Sequence, residues 1–446
     1  MKGPAHGMVP AAPGAGDVAE GETAELDAIL FELLVTPEGR ADPYPRYARL
    51  RDRAPVFRSG MGSWVMSRYA ECQQVLRVPA FGKEDSVEAV ARTRARRAAW
   101  DIGEREFEDL VEFLGPRQSM LTLNPPDHTR LRGLVARAFT PSTVDGLRPH
   151  VAALCDGLLD GIAERAAGGA SVDVMAELAF PLPVAVIGEL LGVPAGDRHR
   201  FQSLVRATTV ALEPVATPED LRAARSARTR MEEYFRGLIA ERRGQPSDDL
   251  LSELIAARDG SDQLSEDELI ATAILLFAAG FETTTNLIGN GLLALVHHPA
   301  QLRLVQGAAR AGDGPALARA VEELLRWDSP VQLDVRIAFE DTEVGGTPIA
   351  AGEGVMTLLG AANRDPARFS RPDVLDVGRD EGPPMSFGAG IHFCLGAPLA
   401  RMEGQVVLGR LLERFASVEL RADDVAYRNA ITLRGLVSLP VGLVAA

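Results

Sequence analysis

The chain has 446 residues, 46% apolar and 24% charged, which excludes a mostly disordered, collagenous or coiled-coil protein. Acidic residues outnumber basic ones, 62 to 47, and the formal net charge of −15 disfavours nonspecific contact with nucleic acid or anionic membranes. The three cysteines, Cys72, Cys155 and Cys394, are too sparse and odd in number for a disulfide framework and fit a reducing, cytoplasmic setting.

The opening stretch MKGPAHGMVPAAPGAGDVAEGE lacks the apolar core of a signal peptide. Its Gly, Pro, Ala and Asp content predicts a disordered tail over residues 1–25. Residues 26–446 read as a single domain, with no fixed-period repeat and no Gly/Ser linker. Tyr44 to Arg53 reads as a short helix after Pro43, and Val56–Ser59 with Ser63–Ser67 as a hairpin. Arg68 to Arg77 is helical; residues 78–120 are irregular and contain the basic cluster Arg92, Arg94, Arg96 and Arg97. That cluster reads as a solvated face, with contact to an anionic substrate or carrier protein as the alternative. Thr140-Pro141 opens an amphipathic helix to Ala166, with a cap and a proline where a helix start wants them. Helices follow near 176–192, 195–211, 218–243 and 248–257.

Ser265, with Glu268 three residues on, forms a capping box for a long helix reaching about His297. Its apolar run, Leu269 to Phe281, is too short for a membrane span and reads as buried on all sides. A further helix covers 315–327. Short β-like runs follow at Val335–Phe339 and Gly354–Leu358, then a turn-rich stretch over 362–386. A final helix, Leu395 to Phe415, precedes short strands. The chain is therefore mainly α, with small β-sheets at its two ends.

Chemistry concentrates at Ser386-Phe387-Gly388-Ala389-Gly390-Ile391-His392-Phe393-Cys394-Leu395-Gly396. Cys394 stands just before a helix N-terminus, where unpaired N–H groups favour a thiolate. Gly388, Gly390 and Gly396 clear side chains on both sides, so a flat partner can approach. One thiolate without a second Cys or His at zinc spacing is a poor zinc site but a good axial ligand for haem iron.

The string Phe387-x-x-Gly390-x-x-x-Cys394-x-Gly396 resembles the haem-binding loop of the cytochrome P-450 superfamily. The resemblance spans residues 40–443 and includes three more motifs in the family's order. Ala279-Gly280-Phe281-Glu282-Thr283-Thr284 interrupts the apolar helix with a Gly, an acid and two hydroxyls. Thr hydroxyls can bond backbone carbonyls and Gly lets the helix bend, which opens a groove. The resemblance makes Glu282 and Thr283 the acid–alcohol pair that delivers protons during oxygen activation. Phe281 departs from the smaller or polar residue usual there, and either narrows the pocket or packs away from it. Glu323-Leu324-Leu325-Arg326 places acid and base on one helix face. In the family this pair is buried and structural; Arg379 is the candidate third partner, and Leu375 stands where an aromatic is common.

Pro125-Pro126-Asp127-His128-Thr129-Arg130-Leu131-Arg132 resembles the start of the family's helix at the haem edge. By resemblance, His128, Arg132, Arg336 and His392 hold the propionates, and Ala279, Gly280, Phe387, Gly388 and Gly396 also border the haem. The implied fold is a helical prism with haem b between the Glu282 helix and the helix led by Cys394. The implied activity is a soluble haem-thiolate monooxygenase that hydroxylates or epoxidises a hydrophobic small molecule with O2 and two electrons. No GxGxxG follows a strand, so electrons are expected from a ferredoxin and its NAD(P)H-dependent reductase. Arg130, Arg132 and Arg401 are the candidate positive charges for docking that donor. The implied protein is a cytoplasmic monomer. Pocket walls are expected at 78–123, between the helices near 195–211 and 218–243, and at Leu275–Ala279, Val331–Asp334 and Thr432-Leu433. Their apolar character fits a polyketide- or macrolide-like natural product in secondary metabolism. Three alternatives stay open: a peroxygenase, against which the Glu282–Thr283 pair argues; oxidative ring formation or multistep oxidation; and a non-enzymatic haem sensor.

Overall fold

The computed structural model describes residues 20–83, 103–104, 107–108, 119–136, 139–214, 216–257, 263–422 and 424–446. The Arg92–Arg97 cluster and much of the expected wall at 78–123 lie outside the described residues. The first helix is Glu20–Val35, so its opening residues fall inside the span expected to be a disordered tail. Leu26, Ile29, Leu30, Leu33 and Leu34 anchor that helix in a core with Tyr47, Leu50 and Phe57.

The organising element is the helix Glu266–His297, which starts at Ser265 with both halves of the capping box formed. At 32 residues it exceeds the apolar run visible in the sequence, and by length and composition alone it could cross a membrane. Instead, 61% of its most apolar window is buried within the fold. Helices Pro181–Leu190, Pro218–Gly244, Gly314–Trp327 and Ala397–Arg414 pack around it. Thr140 caps Pro141–Ala167, and Thr217 with Asp220 forms a capping box for Pro218–Gly244. Two expected single helices are divided. A π-helical turn, Met175–Ala179, precedes Pro181–Leu190, and short helices Ala195–Arg198 and Phe201–Thr209 replace one over 195–211. A further helix, not expected from the sequence, spans Pro299–Ala311.

The strands are β1 (Val56–Arg58), β2 (Ser63–Met66), β3 (Phe81–Gly82), β4 (Val172–Asp173), β5 (Leu333–Ala338), β6 (Thr342–Val344), β7 (Thr347–Ile349), β8 (Gly354–Leu358), β9 (Phe415–Leu420) and β10 (Pro440–Ala445). The main sheet has the order β1-β2-β8-β5-β3. Strands expected as separate sheets at the two ends thus join: β2 runs parallel to β8, with Ser63 opposite Gly354. In the antiparallel β5–β8 pair Arg336 stands opposite Val355, which sets its side chain in the interior at 2% exposure.

Candidate active site

The cysteine loop is held from behind by a buried polar chain. Arg326 donates to both Glu323 oxygens, at 2.6 and 2.9 Å, and Arg379 Nε donates to Glu323 Oε2 at 3.1 Å. Arg379 is therefore the third partner, and Leu375 is buried beside this cluster's meander. Arg326 also donates to the carbonyls of Asn363 and Pro372. Asn363 in turn accepts from the Met385 N–H at 2.6 Å and donates to Ser386 Oγ at 2.9 Å. Ser386 closes the path on the Leu325 carbonyl. The Glu323 helix thus fixes where the loop begins.

Within the loop, Gly388 and Gly390 adopt φ of +68° and +71°, conformations that cost an L side chain strain. A Cβ on Gly390 would lie 2.1 Å from the Leu76 carbonyl oxygen, so this glycine also permits close packing on helix Tyr69–Arg77. A Cβ on Gly388 or Gly396 would meet nothing within 4 Å. Cys394 donates its N–H to the Phe387 carbonyl at 3.0 Å, and its side chain is accessible while surrounded by protein. Burial pushes its thiol pKa up; the N–H groups of Gly396 and Ala397, with Arg132 and Arg401, oppose that rise without cancelling it. The N–H groups at the helix start thus act in the direction that favours a thiolate.

The four expected propionate partners converge. His128 and His392 stack with ring centroids 4.2 Å apart. His128 is 1% exposed with neither ring nitrogen partnered, and His392 Nε2 is likewise buried and unpartnered. Arg132 donates to the Phe393 carbonyl at 2.7 Å, and Arg336 to Asp334 at 2.6 Å. Lys83, absent from the sequence reading, pairs with the same Asp334. Burial would raise the Asp334 pKa, but Lys83 and Arg336 hold it well below the usual carboxylate range. Burial, then Arg336, Lys83 and His128, push His392 down to about 3. Burial, with Arg132 and Arg336, also lowers His128. Buried donors that lack acceptors are costly. An anionic group seated among them would remove that cost, so these residues, the open surfaces of Gly388 and Gly396, and the accessible thiol fit a haem.

On the central helix Thr283 Oγ1 donates to the Ala279 carbonyl at 2.9 Å and Thr284 Oγ1 to Gly280 at 3.2 Å. Ala279 is exposed, and Leu275, Ala278 and Thr283 are half-buried, in a helix otherwise mostly interior. Their three- and four-residue spacing makes one accessible stripe. Gly280 also admits the neighbouring helix, because a Cβ there would lie 2.9 Å from Ile187 Cγ1. Phe281 is fully buried and packs edge-on against Phe180 and Phe277, away from the stripe. Glu282 is 1% exposed and ion-paired with Arg428, which also donates to Asn286 Oδ1 at 2.9 Å. No local motif marks Arg428, because it reaches Glu282 across 146 residues of chain.

Two of the three candidate docking charges are compensated. Arg130 pairs with Glu268 at the start of the central helix, and Arg401 pairs with Glu322 and lies 4.4 Å above the Phe387 ring. The basic patch expected for docking is correspondingly weakened.

The family profile "Cytochrome P450" matches residues 82–440. The chain belongs to the cytochrome P450 family, a haem-thiolate monooxygenase of actinobacterial type with the family's fold. It is 42% identical over 413 residues to Cytochrome P450 107B1 of Saccharopolyspora erythraea, covering 90% of this chain and 95% of that protein. Cytochrome P450 monooxygenase PikC of Streptomyces venezuelae is 40% identical over 410 residues, covering 90% of this chain and 91% of PikC. Among solved structures, ligand-free CYP164A2 of Mycobacterium smegmatis superposes with a TM-score of 0.80 at 38% identity, covering 93% and 100% of the two chains.

Proposed function

We propose that Cys394 would hold the iron of a haem b through its thiolate, and that His128, Arg132, Arg336 and His392 would hold the propionates. The orphaned histidine nitrogens beside two arginines carry this reading. Ala279, Gly280, Phe387, Gly388 and Gly396 would border the haem, and Gly280 also supports that wall by admitting Ile187. When bound, the haem supplies reductive activation of O2, one atom entering the substrate and the other leaving as water. The protein's part is to position substrate along the Leu275–Thr283 stripe and to deliver protons. Thr283 holds its hydroxyl on the Ala279 carbonyl, at the accessible face, and Glu282 sits one residue before it as the acid. Arg428 keeps Glu282 oriented within the interior.

Electrons reach the site from a ferredoxin and its NAD(P)H-dependent reductase, and the protein works as a cytoplasmic monomer. The described residues from Glu20 onwards form one domain. The half-exposed apolar stripe, together with similarity to Polyketide biosynthesis cytochrome P450 PksS of Bacillus subtilis, supports hydroxylation or epoxidation of a polyketide- or macrolide-like molecule. The test is the absorption spectrum of reduced protein with carbon monoxide. A red-shifted thiolate-type Soret band supports the reading; a globin-like carbonyl band from fresh protein refutes it.

A further inference from the structure

The accessible stripe of the central helix ends under the chain's last hairpin, in which Tyr427 pairs with Leu436. Arg428 bonds Glu282 and Asn286, which follow Ala279 at three- and four-residue steps on the same helix face. A Cβ on Gly435 would lie 2.0 Å from Asn286 Oδ1, so the hairpin backbone rests directly on the helix. The hairpin tip is pinned elsewhere too: Leu433 pairs with Val331, and the Thr432 carbonyl accepts the Gln332 N–H at 3.1 Å. A second element reaches this tip. Helix Phe201–Thr209 sits on the central helix where Phe201 meets Phe277, ring centroids 4.6 Å apart, and ends in the short turn Val210–Leu212. Glu213, next in the chain, joins the two. Its Oε2 accepts the Ile431 N–H and its Oε1 the Thr432 N–H, each at 3.0 Å. Thr432 Oγ1 donates to the Leu212 carbonyl at 3.1 Å. Ile431 and Thr432 are both buried, so their N–H groups depend on this carboxylate. Among the described residues, these three are the hydrogen bonds that tie residues 210–213 to anything beyond their own turn and its flanking helices. The turn itself is apolar, with Leu212 exposed. The clasp thus links an element seated at Phe277 to one seated at Glu282 and Asn286, and the accessible Ala279 and Thr283 lie between those seats.

We infer that Glu213 is a positioning residue for substrate entry: it clasps the turn Val210–Leu212 to the Ile431-Thr432 tip, and a bulky apolar substrate reaches the stripe by opening that clasp. This rests on the haem-monooxygenase reading. Two charge-assisted bonds on one side chain hold the closed form. Because the turn has no other such tie, breaking them frees it to swing while the tip stays pinned at Val331 and Gln332.

The test follows the Soret band of the purified ferric holoenzyme after rapid mixing with imidazole or with econazole, which share an iron-binding azole and differ in bulk. Glu213→Ala is expected to raise the econazole association rate about tenfold, the factor one charged hydrogen bond contributes, and to leave imidazole within about twofold. Glu213→Gln, with one acceptor oxygen for two donors, should fall between the native enzyme and Glu213→Ala. Thr432→Val removes only the bond to Leu212 and should raise the econazole rate about threefold. It decides by the same ratio if Glu213→Ala does not take up haem. Hydrogen exchange at the Ile431 and Thr432 amides reads the clasp without the haem, and should quicken about tenfold in Glu213→Ala. An unchanged econazole rate, unchanged exchange, or azole rates that rise by one common factor would overturn the inference. The last of these marks a carboxylate that only stiffens the fold. The carbonyl spectrum of the same preparation separates the two failures. A thiolate band with entry rates blind to bulk sinks only this inference, and a missing thiolate band sinks the monooxygenase reading.

Discussion

Glu403 lies on the buried face of the helix that follows Cys394, 1% exposed and with Oε2 unpartnered. Burial pushes its carboxyl from 4.5 up to about 8. Below pH 4.5 the folded and unfolded chains both hold the proton. Between pH 4.5 and 8 the unfolded chain releases it and the fold must retain it, so stability is lost as pH rises through this window. The slope is about 1.4 kcal/mol per pH unit for one proton, giving a loss of about 3 kcal/mol by neutrality. Glu403→Gln keeps the site neutral at every pH. The amide adds its own unpaired donors, a cost that does not vary with pH, so the readout is the difference in slope. Urea unfolding of the holoenzyme and the variant, followed by circular dichroism across this range, measures it. The variant's relative stability should rise by about 3 kcal/mol from the acid end to neutrality. Parallel pH profiles would refute the reasoning, because they would mean that the fold holds Glu403 ionised.

Cys394→Ser should abolish the thiolate-type carbonyl spectrum, since a serine hydroxyl is far harder to ionise; a retained band would remove Cys394 as ligand. Thr283→Ala should keep haem and fold but divert reducing equivalents to hydrogen peroxide, measured as peroxide released per NAD(P)H consumed; full coupling would show that Thr283 is dispensable. Glu323→Gln leaves Arg326 and Arg379 without their shared carboxylate and should cost about 3–5 kcal/mol, read by thermal unfolding and haem content. Gly390→Ala combines a positive φ with a Cβ 2.1 Å from the Leu76 oxygen, and should cost more than about 1 kcal/mol; native-like stability would mean that the loop relaxes freely.

Local signals were legible where a residue's role depends on its chain neighbours. The Ser265 capping box, the Thr140-Pro141 start and the glycine turns ahead of the last helix were legible because caps, prolines and glycines act within four residues. Helix Pro299–Ala311 was missed although its signals were present: Pro299 in the first turn and Gly312 at φ +64° past its end. The tail boundary ran too far because the first turn of helix Glu20–Val35 is made of Glu, Gly, Thr and Ala, and its apolar anchors begin only at Leu26.

The amino-acid string alone carried the family, the helical class, the thiolate candidate and four residues proposed to hold the propionates, since each belongs to a short motif of distinctive residue types. Folding settled what depends on pairing across the chain. It assigned Gly280 to helix packing and Phe281 to the core, because a side chain's direction follows from which helix comes alongside. It neutralised Arg130 and Arg401 with Glu268 and Glu322, and gave Glu282 its partner Arg428. Charges act through space over a few ångströms, and those ångströms span 146 residues of sequence between Glu282 and Arg428 and 251 between Lys83 and Asp334, so no local pattern can announce them.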